Sequence, residues 1–119
     1  MTDTTAKTRI IRDLQGDLLD CNHVTRRHFR MFLDGSYQGE KSYYANKAFL
    51  MEHHTEPKKL RSWVINKFTQ FTAIDAYCSY AYAQKVIVDT IDRDTLEKLN
   101  VALVEDALDL IEYDLKEAV

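Results

Sequence analysis

Asp20 and His23 stand three residues apart, which on a helix places a carboxylate and an imidazole on one face, half of the ligand arrangement used in di-iron bundles. The full arrangement needs a Glu from each of two helices and a Glu-x-x-His from each of two more, and no carboxylate stands three before His28, His53 or His54. No two histidines are four apart, the spacing with which a single helix holds zinc. Glu52, His53 and His54 are consecutive at the end of an expected helix, where the macrodipole favours cations, so a favourable end charge accounts for them. His28 falls in an apolar seam and reads as a hydrogen-bonded core histidine in preference to a haem ligand. Cys21 and His23 are two apart and face opposite sides of a helix, too far round to act as nucleophile and base. The run from Gly35 to Ser42 superficially resembles a phosphate loop, but its glycine spacing is one short, Glu40 precedes the lysine and no strand leads into it. No catalytic residue, metal or cofactor is expected. A bundle enzyme or cofactor carrier built on Asp20, His23, Glu52, His53 or His54 ranks third among the functions considered.

Two basic clusters carry a stronger alternative. Arg26, Arg27 and Arg30 interleave with His28 and Phe29, and Lys58, Lys59 and Arg61 with Leu60. Basic side chains among aromatics neutralise phosphates and stack on bases, so these six residues are candidate anion ligands of a nucleic-acid or phosphorylated-ligand binding module. Charge layout offers them another destination. Residues 1–72 hold 12 basic against 8 acidic side chains, whereas residues 92–119 hold 3 against 9. In an antiparallel bundle the arginines of the first helix would lie near Asp92, Asp94 and Glu97. The basic start of the third helix would lie beside Glu112, Asp114 and Glu117. Internal pairing is the favoured reading of both clusters.

The elements that position these residues follow from breakers and periodicity. The chain has 119 residues with only 3 Gly and 1 Pro, far below the average of roughly 12% for the two combined, and a sheet protein needs more turn residues than that. Hydrophobic residues make up 45% and charged residues 29%, with a formal charge of -3, which argues against disorder and against a uniformly basic nucleic-acid binder. One helical domain over residues 1–119 is expected: an all-α, antiparallel four-helix bundle.

The first helix is predicted from Asp3 or Thr4 to Leu33 on the seam Ile11, Leu14, Leu18, Cys21, Thr25, His28 and Phe32, ending at Gly35 in a left-handed cap. Gly16 within it marks a close helix crossing. The second runs from about Glu40 to His54. Thr55 caps the third, with Pro57 in its first turn, and the seam Leu60, Val64, Phe68, Phe71, Ile74, Cys78, Ala81 and Val88 carries that helix for about 32 residues, bent near Thr69–Thr72 or projecting. Residues 80–91 are rich in β-branched and aromatic types, which leaves a strand there as a lesser alternative. Asp92 or Asp94 caps the fourth helix, which runs to the C-terminus.

That fourth helix has two apolar seams, spanning about 200° where a one-sided helix needs about 100°. Leu96, Leu99, Leu103, Ala107 and Leu110 form one; Val101, Val104, Leu108, Ile111 and Leu115 form the other. A second neighbour within the chain would cover the latter, or a second copy about a twofold axis with Tyr113 at the rim. The second helix is short, which favours the copy and makes these five residues the candidate oligomer interface. Among 13 aromatics, the Tyr clusters at 37, 43 and 44 and at 77, 80 and 82 fit either an interface or a wide core.

No secretory signal is readable after the polar start, and no run reaches the roughly 18 apolar residues of a membrane span. Cys21 and Cys78 form no Cys-x-x-Cys pair and read as packing thiols in a reducing compartment. The leading function is therefore a small intracellular, cytoplasmic, non-enzymatic interaction protein, an adaptor, inhibitor or regulator. It would present helical faces to itself as a homo-oligomer and to a further protein partner, away from membranes.

Overall fold

A computed structural model describes residues 2–117, with side chains from residue 5 onward, and shows an all-helical chain. Seven helices follow one another among the described residues: α1 (Thr2–Leu14), α2 (Val24–Leu33), α3 (Glu40–His53), α4 (Pro57–Ala76), α5 (Tyr80–Thr90), α6 (Arg93–Asp109) and α7 (Glu112–Glu117). Among the described residues there is no strand, and residues 80–90 are helical. The expected count of four is corrected to seven because three of the four expected helices each divide in two.

The first division lies at Gly16, whose φ of +82° ends α1. A Cβ there would meet nothing nearer than His23 Nε2 at 3.9 Å, so backbone conformation and not a close helix crossing selects glycine. Residues 15–23 then form a turn-rich connection, and α2 starts afresh. Its core phase is set by Phe29, Phe32 and Leu33, while His28 and Cys21 of the predicted seam are exposed. At its end Gly35 takes φ +87° and Ser36 N–H reaches back to the carbonyl of Met31 at 3.1 Å, the expected left-handed cap.

The second division is at Tyr77. α4 runs unbroken past Thr69 and Thr72, whose hydroxyls donate to the carbonyls of Ile65 and Phe68 at 2.7 and 2.8 Å and so are satisfied inside the core. Glu56, not Thr55, holds the N-cap position, and Pro57 opens the helix as expected. Tyr77 stands in the left-handed region at φ 57°, ψ 47°, with Cys78 N–H donating to Ala73 at 3.0 Å and Tyr77 N–H to Ile74 at 3.3 Å. Ser79 then caps α5 by accepting from Tyr82 N–H. The third division is a tightening at Leu110 and Ile111, whose N–H groups bond three residues back, to Ala107 and Leu108. Asp92, accepting from Thr95 N–H at 2.8 Å, caps α6.

α4 lies against α1, α5 and α6, with α1 also on α5, α2 on α6, and α3 against both α2 and α4. Its centre is a cluster of four phenylalanines. Phe29 meets Phe68 edge-on with centroids 5.4 Å apart, and Phe71 bridges Phe29 and Phe32 at 6.1 and 5.7 Å. Leu99, Leu103 and Ala107, the first seam of the expected fourth helix, are buried against this core.

Candidate interaction surfaces

Arg26 of α2 is only 3% exposed and sits bidentate on Asp106 of α6: Nε donates to Oδ2 at 2.8 Å and Nη2 to Oδ1 at 2.7 Å. Its Nη1 donates to the Leu19 carbonyl at 2.6 Å, and Nη2 reaches that of Ala102 at 3.3 Å. Arg30 donates to the same Asp106 oxygen at 3.1 Å and to the carbonyl of Cys21. One buried carboxylate thereby holds two arginines, ties α2 to α6 and pins the 15–23 connection. The hydrogen bond donated to Asp106 raises the Arg26 pKa above its ordinary value and keeps the guanidinium charged in spite of burial. The partner differs from the expected Asp92, Asp94 and Glu97 because α2 begins anew after the break and faces the middle of α6. Arg27 is exposed.

Lys58, Lys59 and Arg61 lie exposed in the first turns of α4. Lys59 pairs with Glu56 at 3.3 Å, while the carboxylates expected opposite are engaged elsewhere: Asp114 with Lys47 of α3 at 2.7 Å, Glu112 with Lys116 at 3.2 Å. The six candidate anion ligands are thus split between α2 and α4, and two of them are bound to Asp106. Lys58 and Lys59 border a shallow depression with Ser62 and Asn66, whose floor is Phe49 stacked on Trp63 at 4.8 Å and 9°. Lys67 lies over the Trp63 ring at 5.6 Å, and burial lowers its pKa.

The candidate metal and acid-base residues form no metal-binding group among the described residues, although Glu52 lies 3.7 Å from His53 Nε2. Asp20 is in the connection and accepts from Asn22 N–H at 3.1 Å. His23 is the N-cap of α2: Nδ1 accepts from Thr25 N–H at 3.1 Å, leaving the Nε2 hydrogen directed at the Gln15 carbonyl at 3.3 Å. His53 bonds Glu56 and lies against Phe49, and that bond to His53 holds the Glu56 carboxyl below its ordinary range. His54 contacts the Met51 carbonyl at 3.0 Å. His28 is exposed and meets the edge of Tyr37, with ring centroids 6.4 Å apart, which corrects its placement in the core.

The second seam of the expected fourth helix does not form one open stripe. Val101 is half exposed, Val104, Leu108 and Leu115 pack partly against the core, and Ile111 is fully buried. The tightening at Leu110 and Ile111 turns Ile111 inward and breaks the helical register on which the five-residue seam depended. Its open end, Val101 with Val104, faces a groove toward α4. Asn100 lies in that groove and donates its amide N–H to the Arg61 carbonyl at 3.0 Å, while its buried Oδ1 accepts no hydrogen bond among the described residues. An acceptor left so costs about 1–3 kcal/mol.

A second apolar surface surrounds Tyr77, the one non-glycine residue with positive φ among the described residues. Its ring is 88% exposed, beside half-exposed Ile74 and Tyr37, over a cleft of about 270 Å³ reaching Phe32 and Phe71. Arg9 forms the polar rim, bonding Asp75 through Nε and Nη2 at 3.2 Å each. Behind Asp75 stands Asp13 of α1. Burial and the hydrogen bond to Asp75 push the Asp13 carboxyl up to about 6. Burial pushes Asp75 up as well, but the bonds from Asp13 and Arg9 outweigh it and hold Asp75 below the ordinary range. Nothing in the local pattern marks Tyr77, since glycine is the usual residue at such a cap. The one available signal is Ser79, placed to start a new helix.

The chain matches no protein-family model, no curated protein and no solved structure.

Proposed function

We propose that this protein works by docking and not by catalysis: a small cytoplasmic adaptor, inhibitor or regulator that presents helical faces to a protein partner and to a second copy of itself. Tyr77 carries the proposal. A bulky residue in the left-handed region costs about 1–2 kcal/mol, which glycine would avoid, and a ring that is 88% exposed recovers little of that through packing within the chain. What it offers is amphipathic area to an outside partner, next to an apolar cleft with a charged rim, as binding hot spots do. The exposed Cys21 thiol, in no disulfide, suits a reducing compartment. Among the described residues no helix is long and apolar enough to cross a membrane.

The test replaces Tyr77 with glycine, which keeps the helix cap. Tyr77→Gly is expected to raise stability by about 1 kcal/mol while losing the partner that wild-type protein captures from its native lysate. Equal capture by both proteins would refute the role of Tyr77. A drop in stability would show that the ring belongs to the fold.

A second reading, a phosphorylated ligand or nucleic acid, is favoured by one feature. Lys58 and Lys59 flank the Phe49–Trp63 stack at a helix start that lacks a side-chain cap. It now rests on these lysines and Arg61, since Arg26 and Arg30 are committed to Asp106. Oligonucleotide binding that weakens steeply with salt and disappears in Lys58→Glu/Lys59→Glu would establish it.

A further inference from the structure

Between the first turns of α4 and the middle of α6 runs a groove of about 270 Å³ whose apolar walls are Pro57 and Leu60 on one side and Val101 and Val104 on the other. Arg61 and Glu105 stand on opposite walls, both exposed, and neither makes an ion pair among the described residues. Asn100, 7% exposed, lies between them with an unpartnered Oδ1 and with only one of its two amide hydrogens on the Arg61 carbonyl. We infer that this groove is the self-association surface: a second copy of the chain packs its own groove against it about a twofold axis.

The charges identify the occupant. In a twofold contact, residue i of one copy meets residue j of the other while j meets i. A surface with one unpaired positive and one unpaired negative side chain on facing walls is therefore complementary to itself. Arg61 of each copy lies on Glu105 of the other, and Val101 and Val104 close the apolar centre. The inference rests on the self-association part of the proposed function and assigns it to named residues. It also narrows the candidate interface: of the five seam residues, Val101 and Val104 take part and Ile111 does not.

Light scattering at about 50 µM tests it. Wild-type protein is expected near twice the 13.9 kDa chain mass, and Val101→Glu near the chain mass with helical circular dichroism unchanged, since residue 101 is half exposed. Arg61→Glu and Glu105→Arg, each of which places two like-charge contacts in the symmetric interface, should each weaken the dimer at least about tenfold. The two reversals combined should restore it to within about threefold of wild type. Should Val101→Glu lose its helical signal, the charge-reversal set decides alone. A wild-type protein monomeric at every concentration overturns the inference and the self-association reading together. A dimer that survives Val101→Glu and ignores both charge reversals overturns only the inference and moves the contact elsewhere.

Discussion

Replacing Asp106 with alanine would leave the guanidinium of Arg26 buried with no counter-charge. Breaking a buried pair in this way costs about 3–5 kcal/mol, a large share of the roughly 5–15 kcal/mol of a typical domain. Urea denaturation should therefore show a midpoint sharply lowered for Asp106→Ala at unchanged slope. Arg30→Ala, which removes a side chain 30% exposed, should lose only about 1 kcal/mol. Equal effects would mean that the two arginines share the carboxylate evenly. Asp13 gives the second residue-scale prediction. The folded chain keeps the Asp13 proton up to about pH 6, while an unfolded aspartate releases it near 3.8, so the folded state binds more protons across that window. This group therefore makes stability fall as pH rises from about 4 to about 6. Asp75, held low, acts oppositely and loses its contribution only as pH drops below its ordinary value. Asp13→Asn keeps a donor toward Asp75 without the titration, so its stability relative to wild type should climb between pH 4 and 6 and then level off. Thermal melts across that range check it, and a flat difference would show that the two carboxyls do not interact. Neither pair was legible in the sequence, because helical periodicity reports neighbours three and four residues away while Arg26 and Asp106 are 80 residues apart.

At the scale of elements, the starts and stops with a chemical signature were readable. Pro57 opening α4 and Gly35 closing α2 appear where composition placed them, and Asp92 caps α6, one of the two aspartates offered for that place. Gly35 and Gly16 share a positive φ but differ in surroundings, which makes them a matched test. A Cβ on Gly35 would lie 2.6 Å from the Gly39 carbonyl oxygen, whereas one on Gly16 has no close neighbour. Gly16→Ala should cost about 1 kcal/mol for the backbone conformation alone. Gly35→Ala should cost roughly 2–3 kcal/mol, because backbone must also shift. Calorimetry of the two variants decides it, and equal losses would mean that the α2–α3 turn yields freely. Three breaks were missed: the one at Gly16, where the glycine was read as a helix crossing, and those at Tyr77 and at Leu110 and Ile111, which have no glycine or proline. There the apolar period runs on through the stop, so the pattern by itself extends each helix.

For the whole molecule, the position of α4 against α1, α5 and α6 makes it the expected last element to open, with α7 the first. α7 has six residues, none buried, carries its Lys116–Glu112 bridge within its own length and is tied back to α3 by Asp114 on Lys47. Amide hydrogen exchange should find α7 at least about a hundredfold faster than the centre of α4, and comparable protection would mean that α7 is covered in solution. The scarcity of turn residues and the three-four spacing of apolar side chains were enough to determine an all-helical molecule whose α6 buries Leu99, Leu103 and Ala107. These are local properties, and they act through the backbone and the hydrophobic effect wherever the helices come to lie. Which carboxylate receives Arg26, which end of the second seam stays open, and which tyrosine is held outward over a cleft were decided only by tertiary packing. Each depends on where a helix breaks and what then faces it, and a shift of one residue in a break rotates every following side chain by about 100°.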